Sequence, residues 1–174
     1  SDSTGSTRKG FSTSERAIGQ NLEKIISHHN KWRLIITIFS SWISRVQQII
    51  NACEKYDKYI FLSGRSMVEN IAIANDLWYF KSRTGRTRKM TPKNTQWIPL
   101  DKQIIITTWS QWEEFSALTR MAEWRHNSIE ILAWDTIVFS SSVVPGNEKS
   151  VYWVINKLIK LWANVITKDD WEVH

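Results

Sequence analysis

Hydroxyl and guanidinium groups recur at one kind of place in this 174-residue chain, just after a short apolar run and just before an amphipathic one. Ser40 and Ser41 follow LIITIF, with Arg45 four positions on. Gly64, Arg65 and Ser66 follow YIFLS. Thr107 and Thr108 end QIIITT, with Ser110 and Gln111 behind them. Ser140, Ser141 and Ser142 end DTIVF. Hydroxyls, the free N–H groups of helix starts and a forked guanidinium, if they converge on one crevice, suit a phosphate group. The same serines and threonines could equally be helix caps, and the pattern leaves both readings open.

The elements that would position these groups can be read from periodicity. The apolar runs are short and rich in Ile and Val, as expected of strands buried on both faces of a parallel sheet. We expect strands at Leu34–Phe39, Tyr59–Gly64, Gln103–Thr108 and around DTIVFSS, with helices at Ile43–Glu54, Met67–Leu77, FSALTRMAEW and EKSVYWVINKLIKL. Ser12 and Glu15 have the spacing of a capping box, Ser at N-cap and Glu at N3. The helix they open runs to about Ser27 and buries Ile18, Leu22, Ile25 and Ile26. SIEIL (Ser128–Leu132) reads as an edge or hairpin strand, and Asn164–Ile166 as a last short strand. Lys81–Lys93 holds six basic residues and no acid, and reads as a loop, a solvated insertion in preference to an RNA-tracking electrostatic patch. The fold class this implies is α/β: an open, mainly parallel, Rossmann-like sheet with helices on both faces. In such sheets ligands bind beyond the carboxyl ends of the strands. No G-x-G-x-x-G follows any strand, which argues against a dinucleotide site.

Composition narrows the class of partner. The formal net charge is +6 and the isoelectric point near 9.5, which suits a polyanion. One cysteine, Cys53, excludes a disulfide framework and fits a reducing, cytoplasmic setting. No apolar run approaches the ~18 residues of a membrane span. His28 and His29 are adjacent, but no H-x-H-x-D-H run accompanies them. They read as solvated turn residues, and no metal site is expected. The chain is long enough for one domain with a full core. It opens at SDST without Met and stops at VH, which suggests a fragment.

The segments TTWSQWEEFSALTRMA and DTIVFSSSVVPGNEKSV resemble the β-CASP region of ribonuclease J, a metallo-β-lactamase-fold ribonuclease. The family pattern runs roughly T-T-G-S-Q-G-E-P, L-S-R-M-A, then G-D-T-V-I-F-S-S-x-x-I-P-G-N-E. The likeness continues upstream in SDST, SERAIG, TIFSSWISRVQQII and SGRSM, and downstream to DDWEVH. Lys81–Lys102 is its weak part, and Trp42 stands where Asn is common. The resemblance implies that residues 1–174 are a β-CASP domain, with 1–10 and 164–174 as junctions to a metallo-β-lactamase domain outside the chain. It implies an RNA partner, 5′–3′ exonuclease or endonuclease activity or both, and homo-oligomer formation. Two zinc ions would be held by the other domain and none by this chain. It gives Asp2 a role in orienting a histidine of a later motif, and makes His174 the first histidine of H-x-S-G-H. It makes Ser40, Ser41, Arg45, Gly64, Arg65, Ser66, Thr108, Ser110, Gln111, Ser140 and Ser141 the RNA- or phosphate-binding set. His126, at the family's M-A-x-x-x-H spacing, reads as structural. The competing hypothesis is a non-catalytic Rossmann-like nucleotide- or RNA-binding module, which an upstream H-x-H-x-D-H run would exclude. The T-x-S-Q and P-G-N-E blocks argue against an mRNA 3′-end-type β-CASP endonuclease.

The chain has 11 Trp and 6 Gly. Trp32, Trp78, Trp109, Trp112, Trp124, Trp134, Trp162 and Trp171 stand where the resembling family usually has glycine. An aromatic surface for stacking RNA bases would not track glycine positions. A gene that reads UGA as glycine would, with Trp42, Trp97 and Trp153 as further candidates.

Overall fold

The computed structural model describes residues 13–80, 82, 85–89, 91–108, 117–141, 143, 146–167, 170 and 173. Its strands are β1 (Leu34–Ile38), β2 (Tyr59–Ser63), β3 (Thr87–Lys89), β4 (Gln103–Thr108), β5 (Thr136–Phe139) and β6 (Asn164–Ile166). The helices are α1 (Glu15–His28), α2 (Ile43–Lys55), α3 (Arg65–Asp76), the single turn α4 (Pro92–Thr95), α5 (Ala117–Ala122) and α6 (Glu148–Lys160). The six strands form one sheet in the order β3-β2-β4-β1-β5-β6, and every pairing is parallel.

Each central strand is apolar without alternation because both faces are covered. Ile36, Ile38, Ile60, Leu62, Ile104, Ile106 and Val138 pack with α1, α2 and α3. Ile35, Phe61, Ile105, Ile137 and Phe139 pack with α5 and α6. Each such side chain stabilises the fold by about 1.5–3 kcal/mol relative to exposure. Because all strands run one way, every carboxyl end lies along the same edge of the sheet, and every helix that follows a strand starts there.

Four local expectations are corrected. The cap of α1 is Ser14, whose hydroxyl accepts from the Ala17 N–H at 3.2 Å, and Glu15 is the first helical residue. SIEIL is not a strand. Ile129 and Ile131 are buried and Glu130 is exposed, so the two-residue period is real. Both edges of β5 are already taken by β1 and β6, however, and the Glu130 carbonyl accepts from Arg33 Nη2 at 2.6 Å. The basic stretch is not all loop, since β3 lies within it and α4 begins there. Arg65 and Ser66 are the first turn of α3, not a loop before it.

At the amino edge a buried ion pair joins β1 to β5. Arg33 donates to Asp135 through Nε (3.0 Å) and Nη2 (2.5 Å), and the Leu132 N–H donates to Asp135 Oδ2 (2.8 Å). Asp135 is fully buried, so this two-pronged pair fixes the start of β5 far from the carboxyl edge.

Candidate functional site at the carboxyl edge of the sheet

The register aligns three hydroxyl side chains across adjacent strands. Thr37 of β1 pairs with Thr107 of β4, and Thr107 with Ser63 of β2. These residues lie two positions beyond Ile35, Ile105 and Phe61, and so on the face that α5 and α6 cover. The outer members of the row are satisfied. Thr37 Oγ1 donates to the Val138 carbonyl (3.3 Å), and Ser63 Oγ lies 3.3 Å from His126 Nε2. The Ser128 and Ile129 N–H groups both donate to His126 Nδ1 (3.2 Å each). Nδ1 is therefore the bare nitrogen, Nε2 carries the proton, and the imidazole donates to Ser63. Burial, with the nearby Arg120 charge second, holds the His126 pKa below the usual histidine range and favours this neutral ring.

The middle of the row is different. Thr107 Oγ1 is fully buried and has no hydrogen-bond partner among the described residues. Ser141 Oγ, at the end of β5, and Arg120 Nε, on α5, are in the same position. A buried donor or acceptor left unpaired costs about 1–3 kcal/mol. Three such groups border a single edge.

On the other face, Gly64 carries φ 98° where β2 gives way to α3. A Cβ there would lie 2.7 Å from Thr108 Oγ1, so only glycine lets the loop pass this close to β4. Arg65 and Ser66 then emerge exposed on the first turn of α3. Asn70 Nδ2 donates to the Ser40 carbonyl at 3.1 Å, which ties the β1–α2 loop to α3.

A scan of protein-family models matches residues 31–158 to the ribonuclease J β-CASP domain. The chain belongs to the ribonuclease J β-CASP domain family. It is 39% identical over 173 residues to ribonuclease J of Mycolicibacterium smegmatis, covering 99% of this chain and 30% of that protein. It is 36% identical to ribonuclease J of Thermus thermophilus, with the same coverage. Against ribonuclease J of Helicobacter pylori it is 36% identical, over all of this chain and 25% of that protein. The chain thus spans less than a third of the length of these relatives.

Within this β-CASP domain the expected binding residues divide into three groups. Gly64, Arg65, Ser66, Ser40, Ser41, Thr108 and Ser141 lie along the carboxyl edge, and Arg65, Ser66 and Ser41 are exposed there. Arg45 and Ser140 sit at the same edge but are engaged inside the protein. Arg45 is 1% exposed. It donates to the Ser140 carbonyl (2.6 Å), pairs with Glu15 and lies 4.1 Å from the Trp42 ring centre. Ser140 Oγ donates to the Val173 carbonyl (2.5 Å). The guanidinium expected to meet phosphate is thus engaged in a buried tie between α1, α2 and the end of β5. Asp2, His174, Ser110 and Gln111 lie outside the described residues.

Sequence reasoning missed Thr37, Ser63 and Arg120. For the first two, the available signal was a single hydroxyl near the end of an otherwise apolar run. Among the described residues, no group of three or more His, Cys, Asp or Glu side chains could hold a metal ion. Among them, too, no helix is long and apolar enough to cross a membrane.

Proposed function

We propose that this chain is the RNA-holding part of a ribonuclease J-like, zinc-dependent hydrolase of RNA phosphodiester bonds, acting as a 5′–3′ exonuclease, an endonuclease or both. The observation that carries the reading is Thr107 Oγ1, a buried hydroxyl without a partner among the described residues at the centre of a row whose neighbours are satisfied, with Ser141 Oγ and Arg120 Nε also unpaired among them. A phosphate oxygen accepts from hydroxyl and guanidinium donors alike. Arg65 and Ser66, exposed on the first turn of α3, would contact the next stretch of backbone. The positive charge of the domain favours the approach of RNA.

The two zinc ions of such an enzyme belong to its metallo-β-lactamase domain, and this chain's task is to hold and align the strand. On the family pattern, Asp2 orients a histidine near the reacting phosphate, and His174 begins the motif that supplies it. The same pattern makes the full-length protein a cytoplasmic homo-oligomer.

The test is RNA binding by the full-length enzyme over a range of salt. Arg120→Ala should weaken binding and reduce the slope of log K against log salt by about 0.7, the value for one single-strand phosphate contact. Thr107→Val, which keeps the shape and removes the hydroxyl, should weaken binding several-fold with folding intact. If both variants bind as the parent does at every salt concentration, the edge is not the RNA site.

A further inference from the structure

Three helices end in one way. After α3, the Trp78 N–H donates to the Asn75 carbonyl (3.0 Å) and the Tyr79 N–H to Ala74 (2.9 Å). After α5, Trp124 donates to Met121 (3.2 Å) and Arg125 to Arg120 (2.8 Å). After α6, Trp162 donates to Ile159 (2.9 Å) and Ala163 to Leu158 (3.2 Å). This paired closure is the Schellman motif, and it requires a left-handed residue just past the C-cap. That residue is tryptophan each time, with φ 62°, 60° and 61°. A fourth tryptophan, Trp134 (φ 73°), is the third residue of a turn closed by the Asp135 N–H on the Leu132 carbonyl (3.1 Å). A left-handed third position is the glycine position of such turns.

The left-handed region brings Cβ against the following carbonyl and costs an L-residue free energy at each site. Nothing offsets that cost here, because the four side chains are 87%, 59%, 52% and 73% exposed. Among the described non-glycine residues only Asp57 shares this conformation. It ends α2, where a short polar side chain is tolerated. Trp32, Trp42, Trp97 and Trp153 lie outside the left-handed region. Trp42 packs edge-on against Phe39 and beneath Arg45, and Trp153 packs beneath Lys157, as tryptophans in ordinary positions do.

We infer that the polypeptide made in the cell carries glycine at positions 78, 124, 134 and 162, and that the codon at each is a UGA read there as glycine. One codon with two readings replaces the same residue by the same residue at unrelated sites, whereas four independent substitutions would have no common cause. The consequence for function is direct. The exposed indoles at these positions are not a platform for stacking RNA bases, and the surface hollows that Trp124 lines beside Lys157 and His126 lose that wall.

The gene and the full-length protein purified from its own organism decide the matter. The expected result is UGA at the four codons and glycine in the corresponding peptides by mass spectrometry. UGG codons, or tryptophan in those peptides, would overturn the inference. The backbone argument has its own test in two versions of the full-length protein, one with glycine and one with tryptophan at the four positions. The tryptophan version should melt lower by about 3 °C or more per site, each site lowering the folding equilibrium constant roughly tenfold. Should it fail to fold, versions retaining Trp78 alone or Trp162 alone measure the cost one site at a time. Equal or higher melting with tryptophan would refute the strain on which the inference rests.

Discussion

Arg45 and Arg65 both lie in the first turn of a helix that follows a strand, yet the first is buried and engaged and the second exposed, and paired alanine variants separate the two. In Arg45→Ala the buried Ser140 carbonyl loses a charged donor 2.6 Å away, which costs about 2–3 kcal/mol. Loss of the guanidinium packed on Trp42 adds about 1 kcal/mol. The Glu15 pair adds little, since that carboxylate is more than half exposed. The total is about 3–4 kcal/mol, or between two and three decades in the opening equilibrium of β5 and α2. Arg65 is exposed and has no ion pair among the described residues. Arg65→Ala should therefore change stability by less than about 0.5 kcal/mol. Hydrogen exchange resolved to peptides of the full-length enzyme, alongside RNA binding from low to high salt, reads both quantities. Arg45→Ala should speed exchange in β5 and α2 by about a hundredfold or more and leave the salt slope unchanged. Arg65→Ala should leave exchange unchanged and lower the slope by about 0.7. If Arg45→Ala instead flattens the slope without affecting exchange, the internal tie described here is wrong and the guanidinium meets RNA.

Asp135→Ala leaves Arg33 charged and buried, and should cost about 3–5 kcal/mol; exchange in β1 and β5 reports it, and a change below tenfold would show the pair to be dispensable. Gly64→Ala combines φ 98° with a 2.7 Å approach to Thr108 Oγ1 and should cost about 2–3 kcal/mol, whereas a melting temperature equal to the parent's would deny the close approach. His126 has a folded-state pKa below its unfolded value near 6.5. Its contribution is complete above that value and is lost as the pH falls toward the folded pKa. Melting temperature between pH 7.5 and 5 should fall less steeply in His126→Gln than in the parent, and parallel curves would count against the buried neutral ring. Cys53 is buried on α2 with its thiol pushed well above the ordinary range by desolvation, so it should resist alkylation until the domain unfolds; prompt labelling of its peptide in native protein would contradict the packing of α2.

The central strands were legible in the sequence because a strand covered on both faces needs no alternation, and Leu34–Ile38 and Gln103–Thr108 are nearly all Ile and Thr. β3 was not, because a three-residue edge strand of Thr, Arg and Lys has no apolar signature. SIEIL carried the right period for a strand, but whether it could pair depended on β6, more than thirty residues later. The site was half legible. Hydroxyls at strand ends announced the edge, and glycine announced the β2–α3 turn. The fate of Arg45 depended on Glu15, thirty positions before it, and on Ser140, ninety-five after it. No local pattern contains that information. Thr107 was visible as a strand-end hydroxyl, but only the register places it between two hydroxyls that are satisfied while, among the described residues, it is not.

The strand order also sets when the molecule can fold. β1 and β2 are made first but do not touch, because β4 lies between them. Leu34 meets its first ladder partner, Ile104, only after seventy further residues have been made, and its second, Thr136, after about a hundred. Until β4 leaves the ribosome, β1 has no neighbour and β2 has only the short edge strand β3. From the completion of β2 at Ser63 until β4 begins at Gln103, the nascent chain therefore carries two apolar strands with open ladder edges, a period in which chaperones and neighbouring chains compete for them. A pause in translation just before Gln103 should make this domain aggregate, whereas the same pause after Phe139 should be tolerated.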